Sequence, residues 1–156
     1  MGFVILWVLQ DFLTVLLGGR MQVPELFLLG IVFRLVTTEK DGGDRLWAIW
    51  SAFAGGLMWD LRWVGIPGFF TLGYVVVVLI VLWVWSAVPT HGQTVLVAMA
   101  LMEASQIIPP LLPVLALGGS TGWGFFLAQQ AYSMPALLLC LYLYVRRDGQ
   151  SRSSNA

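Results

Sequence analysis

Residues 71–85 read TLGYVVVVLIVLWVW, a run with no charged side chain. In water so many β-branched residues argue for a strand. The uncharged stretch is much longer than a strand, and with its flanks it reaches the roughly 20 residues that a helix needs to cross a bilayer. Lipid also rules out an open strand, because its unpaired N–H and C=O groups would find no partner there. The run is read as a transmembrane helix over 66–87, and its solvent sets the reading of the rest.

The whole chain agrees with that solvent. Of 156 residues, 59% are hydrophobic and 10% charged, and the mean hydropathy is +0.86. A soluble domain carries about 25% charged residues. The formal net charge is zero, so the basic field of a nucleic-acid binder is missing. One cysteine, Cys140, excludes an internal disulfide, and with a single histidine, His91, it argues against zinc. The eight tryptophans suit a protein anchored at two water–lipid interfaces. The first apolar run, GFVILWVLQDFLTVLL, has no basic flank, contains Gln10 and Asp11, and leads into Gly18-Gly19-Arg20 rather than a cleavage site. It is expected to be a retained first span.

Glycine, proline and charge clusters divide the chain into six expected spans, 2–18, 22–37, 45–63, 66–87, 93–117 and 121–146. The fold expected is an all-α, polytopic bundle over 1–146, with 147–156 as a disordered polar tail. The stretch IIPPLLP should break or kink the fifth helix near Pro109 and Pro110, leaving 111–117 as a separate or re-entrant piece, and Pro135 should kink the sixth. Six crossings put Arg34, Lys40, Arg45, Arg146, Arg147 and Arg152 on one side and only Arg20 and Arg62 on the other. The positive-inside rule then places both termini in the cytoplasm.

Four of the eight acids fall inside these spans: Asp11, Glu25, Asp60 and Glu103. A charge at the bilayer centre costs about 2.5–3.5 kcal/mol on insertion scales. Glu25 and Asp60 map to the outer ends of their helices, where interfacial depth lowers that cost. Asp11 and Glu103 lie midway. They suit a proton or cation relay, or else buried anchors bonded to Gln10, Ser105, Gln106 or a partner chain. The anchor reading is preferred because no deep Lys or Arg accompanies them. Gln10, Asp11, Glu25 and Glu103 are thus the expected buried polar anchors.

Asp60 ends the stretch AFAGGLMWD. Ala48, Ala52, Gly56 and Asp60 recur every fourth residue and share one helix face. A small-residue stripe lets another helix approach closely, so this face is the expected helix-packing or partner interface, with Asp60 pinning a helix turn beside it. Asp60 should accept hydrogen bonds from a partner backbone, from Arg62, or from the free N–H groups opening the fourth helix after the turn VGIPG.

Other signs of chemistry are thin. His91 lies in the loop VPTHGQT. Ser120 and Thr121 in GGSTGWG lack the Lys-Ser/Thr ending of a phosphate loop and are expected in an external turn. The sequence has no HExxH, GxSxG or Ser/His/Asp arrangement. No catalytic residue, cofactor or metal is expected.

Taken in order, Gln10-Asp11, Pro24-Glu25, Gly56-x-x-x-Asp60 before a glycine-rich turn, Gly73-Tyr74 and Glu103 resemble the bacterial rod shape-determining MreD family over about residues 5–110. The basic start usual in that family is absent, and Glu25 stands where an aspartate is more common. The resemblance implies a non-enzymatic, multi-pass inner-membrane subunit of the cell-elongation machinery for peptidoglycan synthesis. It implies MreC as partner and indirect links to MreB, RodA and a class B penicillin-binding protein; the Ala48/Ala52/Gly56 face is then expected to receive either MreC's transmembrane helix or a second copy of this chain. It also implies a fold similar to the S-components of energy-coupling-factor transporters. That supplies the rival reading, a vitamin-binding component whose pocket would draw on Gln10, Glu103, Gln106, Ser120, Gln129 and Gln130, with Trp123 and Tyr132 stacking on a ring.

Overall fold

A computed structural model describes residues 2–17, 23–38, 42–63, 68–89, 93–117 and 120–153. The architecture is an all-helical bundle, with no strand among the described residues. Its helices are α1 (Gly2–Leu16), α2 (Leu26–Thr37), α3 (Gly42–Trp63), α4 (Phe69–Ala87), α5 (Val95–Leu117) and α6 (Ser120–Ser153). Phe69–Ala87, Val95–Leu112 and Phe126–Arg147 are long and apolar enough to cross a membrane, which makes the chain a membrane protein by length and composition. At 1.5 Å per residue, α1 and α2 measure about 22 and 18 Å. Each falls short of the roughly 30 Å hydrocarbon core.

The short α2 is the centre of the bundle and packs against all five other helices. Leu28, Ile31 and Val32 are fully buried, with Phe27, Leu29 and Val36 close behind. A helix apolar on every side is stable when protein surrounds it. Helices α1 and α3 run side by side in the same direction. Phe3 packs on Trp47, Trp7 on Trp59, and the Trp7 indole N–H donates to the Gly55 carbonyl at 3.3 Å. Gly55 makes room for the Phe27 ring, which lies 2.1 Å from where a Cβ would stand and would have to turn aside for one. At the other end of the α1–α2–α3 group, Arg34 of α2 pairs with Asp44 at 2.8 Å and lies 4.6 Å from the Trp47 ring centre.

Several expectations change. Helix α2 opens at Leu26 rather than at 22, because Pro24 biases Val23 before it to extended backbone. Glu25, with φ −74° and ψ 64°, sits in an inverse γ-turn closed by the Leu26 N–H on the Pro24 carbonyl at 2.8 Å. The expected break at Pro109 and Pro110 is absent, and α5 continues as helix to Leu117. Pro110 offers no N–H to the carbonyl of Gln106 four residues back. The Gln130 side-chain amide of α6 donates to that carbonyl instead, at 2.9 Å, so the neighbouring helix repairs the ladder. Helix α6 begins at Ser120, so Ser120 and Thr121 are helical rather than part of a turn, and it runs on through 147–153, which was expected to be disordered. Extending an existing helix needs no new nucleus, and Arg and Gln sustain it. His91 and most of VGIPG lie outside the described residues.

Candidate functional site

The sequence-predicted polar residues gather at one end of the α1–α2–α3 group, in two adjoining clusters. The first joins α3 to α4. Gly68 takes φ +99°, a left-handed conformation open to glycine, and α4 starts at the next residue. The opening N–H groups of a helix need acceptors, and Asp60 supplies them. Its Oδ1 accepts from Phe70 N at 2.9 Å, and its Oδ2 from Thr71 N at 2.9 Å and Thr71 Oγ1 at 2.6 Å. Of the three donor sources weighed for Asp60, this is the opening of the fourth helix. One turn earlier, a Cβ on Gly56 would lie 2.6 Å from the Thr71 Cα. Gly56 therefore admits the α4 backbone to the place where Asp60 can cap it.

This geometry keeps the packing role expected of the stripe and corrects the partner role. Ala48, Ala52, Gly56 and Asp60 are all buried inside the chain, and the close approach at Gly56 is made by α4. The small residues serve an internal joint, and a partner helix has no access to that face.

The second cluster closes around the start of α2. Gln10 of α1 donates from Nε2 to Glu25 Oε2 at 2.8 Å and accepts from Phe27 N at 2.9 Å. The Tyr74 hydroxyl of α4 donates to the same Glu25 Oε2. Gln106 of α5 accepts from Glu25 N at 3.0 Å and donates to the Glu25 carbonyl at 3.2 Å. Gln129 of α6 donates to the Val23 carbonyl at 3.3 Å. Four helices thus satisfy the non-helical turn that precedes a fifth, which is the condition for irregular backbone inside a membrane protein. Glu25 and Asp60 were expected to be tolerated by interfacial depth. Both are also buried and hydrogen-bonded within the chain.

Asp11 borders this cluster and pairs with Arg62 at 3.1 Å, the arginine half-exposed. The expectation that Asp11 lacks a basic neighbour fails because the parallel run of α1 and α3 brings residues 51 positions apart in sequence together. Glu103 also departs from its expected role. It is only partly buried on α5, and among the described residues it has no hydrogen-bond or ion-pair partner. It sits about 100° around the helix from buried Met102, at the rim of the inward face.

Sequence reasoning did not assign Tyr74 to Glu25, or Gln106 and Gln130 to backbone groups. Pro110 carried a usable signal, since a proline inside a helix leaves one carbonyl in need of a foreign donor. Of the side chains weighed for a solute pocket, Gln10, Gln106, Gln129 and Gln130 are bonded to protein, while Trp123 and Tyr132 point outward. The amide oxygens of Gln129 and Gln130 are buried without a donor among the described residues. The described residues hold no group of three His, Cys, Asp or Glu able to bind a metal. Compared with known proteins, the chain matches no family model, no curated protein and no solved structure.

Proposed function

We propose that this chain is a non-enzymatic, multi-pass subunit of the bacterial inner membrane that serves the cell-elongation machinery as a scaffold. It docks MreC and neighbouring membrane proteins through outward helix faces. One observation carries this reading: the residues that produce the MreD resemblance, Glu103 excepted, are engaged in contacts inside the bundle. Gln10, Glu25 and Tyr74 form one hydrogen-bonded set, Gly56 and Asp60 seat α4, and Gly73 packs against Pro109. Side chains spent on holding backbone in place suit a rigid docking body better than a solute site, which must keep its polar groups for the ligand. Both termini are assigned to the cytoplasm from the distribution of Lys and Arg.

The test is depletion in the encoding bacterium, combined with purification in mild detergent. Loss of rod shape, with MreC co-purifying from undepleted cells, is the expected result. Normal shape on depletion overturns the reading. Saturable thermal stabilisation of the purified chain by one member of a vitamin panel also overturns it, in favour of a transporter component. A reporter active only outside the cell, fused after Asn155, should be silent.

A further inference from the structure

Glu103 is the one intramembrane carboxylate the bundle does not use. It is the ninth of the 18 residues in the apolar window Val95–Leu112, and so lies at mid-depth, where an ionisable group is most costly. Asp11, Glu25 and Asp60 each have partners within the chain. Glu103 has none among the described residues, and it is only partly buried. Leu96, Ala100, Glu103 and Ile107 follow the four-three-four spacing of a single helix face. Leu96 and Ala100 on that face are exposed, and Ile107 is half-exposed. Ala100, one turn from the acid, keeps the surface low enough for another backbone to come close.

We propose that this α5 face is a docking seam for a transmembrane helix of another protein, one that brings a hydrogen-bond donor or a cation to mid-membrane depth and pairs it with Glu103. The inference rests on the scaffold reading and names the face that reading requires. A second copy of this chain is a poor occupant. A two-fold contact here sets carboxyl against carboxyl, and the described arginines offer no mid-depth cation. Arg34 and Arg62 are paired in the last turns of α2 and α3, Arg45 lies in the first turn of α3, and Arg146 and Arg147 close the apolar window Phe126–Arg147. A foreign helix with a complementary polar residue satisfies both the charge and the geometry.

The test places a photo-crosslinking amino acid at Ala100 of the full chain in native membranes and sequences the captured segment. A control position is Leu57, exposed on α3. The expected product is a transmembrane segment of a different protein with a Lys, Arg, His, Asn, Gln, Ser, Thr or Tyr within one turn of the cross-link. Glu103→Leu should lower recovery of that product about tenfold, with Glu103→Gln recovering most of it. The melting temperature of the isolated chain should hold or rise in both variants. Capture of a second copy, capture of a segment without a polar residue, or lipid adducts alone overturn the proposal. A lower melting temperature for isolated Glu103→Leu also overturns it, because Glu103 would then be an internal anchor. Capture at Leu57 without capture at Ala100 defeats this seam and leaves the scaffold reading standing; failure at both positions defeats both.

Discussion

The chain holds two helix starts inside its protein interior, and it holds them differently. The start of α4 is capped by a single carboxylate, Asp60, on the helix just before it in sequence. The start of α2 is held by Gln10, Tyr74, Gln106 and Gln129, each on a different helix. The first device is local and rests on one side chain, so its loss is expected to be abrupt. The second is shared, and Gln10, Tyr74 and Gln106 all converge on Glu25. Its members should depend on one another. The α4 joint sets how two neighbouring helices meet, whereas the α2 lock decides whether the central helix is inserted at all.

The largest effect should come from Gly56→Leu. The new side chain would enter space held by Thr71 backbone rather than by a side chain that can turn away. Overpacking of this kind costs about 3 kcal/mol, and fluorescence-detected size exclusion in detergent should show little folded chain. A normal profile would break the picture of a tight joint. Next comes Asp60→Ala, which removes an N-cap and leaves two backbone N–H groups unpaired, for about 2–3 kcal/mol. A thermal melt that barely moves would mean that Asp60 does not hold α4.

Gln106→Leu should cost about 2 kcal/mol by leaving the Glu25 N–H without an acceptor. Combined with Gln10→Leu, the loss should depart from additivity by roughly 0.5 kcal/mol or more, as for groups in one network. Simple additivity would show that the α2 lock is a set of independent contacts, erasing its contrast with the α4 joint. The smallest effect is expected from Arg62→Ala. Its ion pair with Asp11 is half-exposed, and such pairs contribute within about 1 kcal/mol. A larger drop in melting temperature would move Asp11 from the border of the lock into its core.

How much of this was legible in sequence depends on distance along the chain. Gly56, Asp60, the glycine-rich turn and the start of α4 lie within about fifteen residues, and helical spacing alone puts Gly56 and Asp60 on one face. What helix spacing does not reveal is which neighbour that face meets. The same stripe that offered itself to a partner is filled by α4. The α2 lock was hardly legible, because Gln106 and Glu25 meet across 81 positions. Pro110 looked like a helix breaker, since nothing in sequence places Gln130 beside the carbonyl it leaves bare.

Composition and run length alone determined that this chain is helical and lives in a membrane, because apolar side chains and an obligatorily paired backbone leave few other folds in lipid. The number of helices and most of their ends followed from glycine, proline and charge. The tertiary structure decided which polar groups are paired and which remains open. A hydrogen bond needs its partners within about 3 Å, and that proximity is set by how whole helices pack. Asp60 and Glu103 look alike in sequence as acids within apolar runs. Packing gives the first a helix to cap and leaves the second at the rim of the bundle without a partner among the described residues.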